Sequence, residues 1–229
     1  MHIDGDVEVV GLRLEATAEA CAAMAPLLSP PEREKAARFR AERHQLEYIS
    51  THAWLRLLVA ERSGLDARDI SFDEGRHGKP HIATALADGR CLSFNLSHSG
   101  ALAIYAFSSD GRDVGVDVES LRPIPDVVRL SERFFSPWEA SELKTFAPQT
   151  LDRAFLACWT RKEAFIKALG LGLHCPLDSF DVSIDPDRPA ELLRVDERAG
   201  AGAAADWRLH GFTPAEGYIA ALAVRKRMP

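Results

Sequence analysis

The sequence predicts an α+β fold made of two similar halves, residues 1–108 and 109–229, related by a pseudo-two-fold axis. Two observations lead there. Within each half, strand and helix signals come in runs rather than strict alternation, which favours mainly antiparallel sheets. The second half also repeats the first: LLSPPEREKAARF at 27–39 aligns without gaps with FFSPWEASELKTF at 134–146, and DVEVVGL at 6–12 aligns at the same 107-residue spacing with DVGVDVE at 113–119. HAWLRLL and LACWTRKEAF share Trp-x-Arg, and GALAIYAF at 100–107 echoes GYIAALAV at 217–224. A cleft between two such halves is a preferred place for a ligand.

The elements follow in order. Residues 6–15 alternate as a strand. Ser29 opens a helix as N-cap, with Pro at its first position and Glu32 in its first turn. A longer helix spans about 44–63 and stops near Gly64. DISFDEGRHGKPHI reads as strand, turn, strand, and CLSFNLSHSGALAIYAF as two strands around a Ser-His-Ser-Gly turn. The second half offers a strand at 112–119, a helix from Ser136, a helix over about 150–169, and strands near 180–184, 206–212 and 217–225.

Composition narrows the class. A chain of 229 residues that is 46% hydrophobic and 27% charged can bury a core as an ordinary globular protein. A net charge of -6 argues against a general nucleic-acid binder. Cys21, Cys91, Cys158 and Cys175 are scattered, with no metal-ligand spacing and no disulfide framework, which fits a reducing compartment. The start, MHIDGDVEVV, does not resemble a secretory signal, and no apolar run reaches membrane-spanning length. The expected location is the cytoplasm.

Four stretches carry chemistry. In GVDVES, strand alternation points Val116 and Val118 one way and Asp117 and Glu119 the other. The two carboxylates stand roughly 7 Å apart along the strand. They are either a solvated acidic face or part of a divalent-cation site completed by substrate phosphate. In WTRKEAFIKALG, Glu163 and Lys167 share one helix face: a surface pair worth about 0.3–0.5 kcal/mol, or a third carboxylate with lysines for phosphate. FNLSHSG places Ser97 and His98 in a turn that lacks the nucleophile-elbow pattern, leaving His98 a candidate phosphate contact. HGKP offers Lys79 on a rigid turn that is not a Walker A loop.

In this order and spacing, GKP, FNLSHSG, GVDVES, RFFSPWEASEL and WTRKEAFIKALGLGL resemble the surfactin-synthetase-activating type of 4′-phosphopantetheinyl transferases, as does CPLDSFDV at 175–182. The resemblance covers about Ser29 to Val182. It implies the two-halved fold of that family and transfer of phosphopantetheine from coenzyme A to a serine of an apo acyl or peptidyl carrier protein, with release of 3′,5′-ADP. By resemblance, Asp117, Glu119 and Glu163 would hold Mg²⁺ (or Mn²⁺), and Asp117, Glu163 and Lys167 would be the catalytic set. Glu163 or a metal-bound water would deprotonate the serine, with Glu139 a second-choice base.

The resemblance further implies coenzyme A contacts from Lys35, Arg38, Arg43, Lys79, Pro80, Ser97, His98, Lys162 and Lys167. The stretch SPPEREKAARF departs from it, since the family often has more basic residues there and Glu32 stands at a position open to lysine. The implied partners are coenzyme A and the carrier protein, with no nucleic acid and no membrane. A single chain holding both halves of the cleft is expected to work as a monomer. Two rivals keep the same residues: a metal-dependent coenzyme A or nucleotide pyrophosphatase, and a non-catalytic carrier-binding module that would have no use for three carboxylates.

Overall fold

The computed structural model describes residues 1–84, 86 and 91–227. The first half runs β1 (His2–Asp4), β2 (Val7–Arg13), α1 (Ala18–Met24), α2 (Pro30–Ala37), α3 (Glu42–Ser63), β3 (Phe72–Glu74), β4 (Pro80–Ile82), β5 (Ser93–Ser99) and β6 (Leu102–Ser108). The second runs β7 (Val114–Ser120), α4 (Val127–Phe134), α5 (Pro137–Leu143), α6 (Pro148–Leu169), β8 (Phe180–Val182), β9 (Leu192–Val195), β10 (Trp207–Phe212) and β11 (Tyr218–Arg225). The fold is α+β, and all its strand pairs are antiparallel. The two larger sheets are ordered β1-β2-β6-β5 and β10-β11-β7.

Local chemistry fixes the helix starts. Ser29 and Ser136 each cap a helix whose third residue, Glu32 or Glu139, reaches back to the capping N–H. Reciprocal bonding of this kind satisfies donors that a helix otherwise leaves bare. Each long helix ends on a left-handed glycine, Gly64 after α3 and Gly170 after α6, where a residue without Cβ adopts positive φ at little cost. Four short elements escaped the sequence reading: β1, α1, α4 and β9. Both helices among them begin without a strong signal. The Thr17 cap of α1 precedes an alanine-rich stretch, and α4 starts from Asp126 in left-handed conformation with no side-chain cap bond.

The layers are helix, sheet, sheet, helix. One apolar cluster joins the inner faces of both sheets through Val7, Val9 and Ile104 from one half and Val116, Val118 and Leu222 from the other. The outer face of the first sheet packs on α3 through Leu55, Val59, Phe94 and Tyr105. In the second half α6 is buried nearly all round, with Phe165 and Phe180 in edge contact at 4.8 Å between centroids.

Where the sheets meet, β5 faces β7, and side chains do the joining. Asn95 Oδ1 accepts from Val116 N at 2.8 Å, Ser97 Oγ donates to Asp117 Oδ1 at 2.8 Å, and Ser99 Oγ donates to Glu119 Oε2 at 3.2 Å. Alternate residues of a strand share a face, so FNLSHSG supplies one polar row along the seam.

Candidate active site

The seam sets the position of β7, and a glycine sets its distance from α6. A Cβ on Gly115 would lie 2.1 Å from the Ala164 carbonyl oxygen and 2.2 Å from Ala168 N. Only glycine lets strand and helix approach this closely. Two residues on, Asp117 comes opposite Lys167. From Trp159 to Lys167 the helix positions that escape full burial are 159, 163 and 167, a spacing of four that lines up Glu163 and Lys167 beneath Trp159.

Lys167 Nζ donates to Asp117 Oδ1 at 2.6 Å and to Ser97 Oγ at 3.1 Å. The surface Glu163–Lys167 pair is therefore replaced by a pair across the seam between helix and strand. Asp117 is 5% exposed and its second oxygen, Oδ2, is buried without a hydrogen-bond partner. Burial pushes its carboxyl up, against the pull of Lys167 and Ser97. Burial also raises Glu163, with the negative charges of Asp117 and Glu119 adding and Lys167 opposing. Glu119 is held by Arg122 at 2.7 Å as well as by Ser99.

Among the described residues, no three His, Cys, Asp or Glu side chains are gathered tightly enough to cage a metal. The donor set nonetheless fits a hard divalent cation. An orphaned buried oxygen on Asp117 and a Glu163 carboxyl raised by the neighbouring negative charges are what such a charge relieves.

A cavity of about 830 Å³ lies between α2, α3 and the β3–β4 hairpin, and Leu96 of β5, the neighbour of Ser97, is in its lining. Lys35 and Pro80 line it, together with Tyr48, His52, Arg56 and Phe72. Tyr48, His52 and Arg56 went unremarked in the sequence, although their spacing of four along α3 marks one face. His52 stacks on Tyr48 at 3.9 Å and sits 3.4 Å from Glu32, whose other oxygen accepts from Arg56 Nε at 2.7 Å. Burial raises the Glu32 carboxyl, but hydrogen bonds from His52 and Ser29 and the Arg56 charge outweigh it and hold it at about 2. His98 stands at the exposed end of β5. Desolvation lowers its pKa, with Glu47 opposing and Lys167, His52 and His44 adding to the fall.

Several expected contacts lie elsewhere. Lys162 is 0% exposed and donates to the Leu177 and Phe180 carbonyls while pairing with Glu139, all at 2.7 Å. It holds the core together and reaches no ligand. Glu139 is equally buried: besides Lys162 it accepts from Ser136 N and Val182 N, so it is a structural carboxylate rather than a spare base. Lys79 Nζ is spent on the carbonyls of Val114 at 3.0 Å and Ala168 at 2.8 Å. Arg38 and Arg43 are exposed, pair with Glu34 at 3.9 Å and Glu47 at 3.5 Å, and are not among the residues lining the cavity. The Ser97 hydroxyl serves Asp117 and Lys167.

Two family descriptions match the chain: "4'-phosphopantetheinyl transferase, N-terminal" over residues 15–110, and "4'-phosphopantetheinyl transferase superfamily" over residues 113–223. The phosphopantetheinyl transferase HetI of Nostoc sp. is 32% identical over 88% of this chain and 80% of its own length. The chain belongs to the 4′-phosphopantetheinyl transferase family. Sfp of Bacillus subtilis is 36% identical over 75% of this chain and 73% of its own. A second Bacillus subtilis phosphopantetheinyl transferase is 37% identical over 72% and 70%. A solved structure, Helicobacter pylori holo-[acyl-carrier-protein] synthase in complex with coenzyme A, is similar at 21% identity and a TM-score of 0.37, over 49% of this chain and 99% of that one. Transfer of phosphopantetheine from coenzyme A to a carrier protein is thus the activity of this enzyme.

Proposed function

We propose that this transfer takes place at the edge formed by Asp117, Lys167 and Glu163, with the cavity holding the nucleoside end of coenzyme A. The observation that carries the reading is the buried Asp117 carboxylate, one oxygen on Lys167 and the other without a partner. Asp117, Glu119 and Glu163 would hold Mg²⁺. Bound there, the cation supplies positive charge against the pyrophosphate, as Mg²⁺ does for phosphoryl groups generally.

The chain's own groups account for the rest. The carrier serine oxygen bonds to the phosphorus that bears the pantetheine arm. The bridging P–O bond breaks, and 3′,5′-ADP leaves with the electron pair. The serine proton passes to Glu163 as the general base. Lys167 stabilises charge developing on the phosphate oxygens. Lys35 and Pro80 border the nucleoside end, and His98 stands at the phosphates.

The carrier protein approaches along α4. Four of the seven large exposed apolar side chains among the described residues, Leu121, Val128, Phe134 and Trp138, fall within 18 residues that follow the Asp117 strand. Arg129 and Arg133 lie exposed among them, which suits a partner that is acidic around its serine. One chain contributes both halves of the site, so a monomer suffices. The four cysteines are unpaired, as in the reducing cytoplasm. No described helix is long and apolar enough to cross a membrane.

Chelation tests the cation. With coenzyme A and an apo carrier, intact mass should show one phosphopantetheine gained per carrier. EDTA should abolish the gain and excess Mg²⁺ restore it. Unchanged transfer in EDTA would remove the cation from the site. Release of 3′,5′-ADP at the full rate without a carrier would favour the pyrophosphatase.

A further inference from the structure

The GKP turn does something other than touch a ligand. Lys79 leaves the β3–β4 hairpin and crosses to the second half. Its Nζ donates to the carbonyl of Val114, the first residue of the strand that carries Asp117 and Glu119. It donates also to Ala168, the residue after Lys167 in the last turn of α6. Its stem lies on the helix cap: a Cβ on Gly170 would sit 3.2 Å from Lys79 Cδ.

The bond to Ala168 has a local reason. The last carbonyls of a helix lack intrahelical partners, and a lysine ammonium is well matched to them. The same hairpin is a wall of the nucleoside cavity through Phe72, Asp73, Glu74, Gly78 and Pro80. A second cavity of about 610 Å³, lined by Lys79, Asp113 and Gly170 among others, also borders the hairpin. A ligand in the first cavity therefore bears on a two-stranded element that Lys79 ties to both catalytic segments.

We propose that Lys79 is a positioning residue that couples filling of the nucleoside cavity to the placement of Lys167 and Asp117. This rests on the reading of the cavity as the coenzyme A site. Two supports are independent of it: the two carbonyl bonds, and the depression of the Lys79 pKa to about 8 by burial, with Asp113 opposing. A cation held at that desolvation cost is fixed in place by its acceptors. Displacing reacting groups by about 1 Å can cost on the order of a hundredfold in rate, so a tie at this point has leverage over turnover.

Lys79→Met keeps the stem and removes the donors, whereas Lys79→Arg keeps donors for both carbonyls. With wild-type transfer as control, Lys79→Met should lower kcat at least tenfold and change the KM for coenzyme A less than threefold, and Lys79→Arg should recover most of kcat. A raised KM at unchanged kcat would make Lys79 a phosphate ligand. A lower melting temperature with both constants intact would make it a structural strut, and either result overturns the proposal. A second readout does not need turnover. Coenzyme A alone should slow amide exchange over residues 167–170 in the wild type and not in Lys79→Met, and equal protection in both would sink the coupling. Should the wild type transfer nothing, the functional reading fails, while the exchange experiment still decides the coupling.

Discussion

The two halves share one device and put it to different ends. In each, a capping-box glutamate is held by a buried cation from the long helix, and that cation also grips two carbonyls of the segment beyond. The first half uses Glu32, Arg56 and the carbonyls of Ala67 and Ile70. The second uses Glu139, Lys162 and the carbonyls of Leu177 and Phe180. Glu32 is thus the counterpart of Glu139.

The difference is closure. Glu139 and Lys162 spend their polar atoms on each other and on backbone. Arg56 Nη2 is buried without a hydrogen-bond partner, Glu32 Oε1 and His52 Nδ1 have only each other at 3.4 Å, and all three residues line the cavity. The closed version anchors a core, and the open version floors the cavity. The strands diverge in the same way. At the 107-residue spacing, Val10 and Leu12 of β2 pack on the apolar cluster beneath α3, where β7 carries Asp117 and Glu119. The two frames match, and only the second carries the carboxylates.

Two lysines five residues apart on α6 give the widest separation of outcomes. Lys167→Met should lower transfer by about 10²–10³-fold, the scale of removing one charge-stabilising donor, and lower melting less than Lys162→Met does, because Lys167 is partly exposed whereas Lys162 and Glu139 are fully buried. Lys162→Met strands Glu139 and should cost about 3–5 kcal/mol of stability, while folded protein at low temperature keeps its turnover. Chemical denaturation beside intact-mass assays separates the two, and matching losses in both variants would erase the distinction between anchor and site.

Two glycines sharpen it. Gly115→Ala must push β7 off α6 and should destabilise by about 3 kcal/mol with loss of activity. A Cβ on Gly11 in β2 would meet nothing within 4 Å. Gly11→Ala should therefore be neutral or stabilise by roughly 0.5 kcal/mol. Thermal melts of both variants test this.

Acid probes the open network. Glu32 falls from 4.5 to about 2 on folding, so its contribution is complete above pH 4.5 and drains away as pH drops toward 2. The gap corresponds to at most about 3 kcal/mol. Glu32→Gln should flatten stability across that window, as followed by urea titration at stepped pH. An unchanged slope would mean that Glu32 is no better held in the fold than in the unfolded chain.

Much of this could be read from local pattern. Caps at Ser29, Ser136, Gly64 and Gly170 are short-range signals, and the alternation in GVDVES correctly sends Val116 and Val118 into the core while Asp117 and Glu119 face the seam. The partners of lysines could not be read so. Lys162 and Lys79 answer to carbonyls supplied from distant segments, and nothing local marks which lysine will meet them. Asp117 took Lys167 from Glu163 for the same reason: the pairing depends on how closely Gly115 lets strand and helix approach.

The central claim is that the chemistry resides at Asp117, on β7. Asp117→Asn removes one charge at nearly constant volume, so the fold should persist with an unchanged or higher melting temperature. Incubated with coenzyme A, Mg²⁺ and an apo carrier, this variant should give no phosphopantetheine mass gain over a time in which the wild type converts all of its carrier. Conversion at a near wild-type rate would contradict the account.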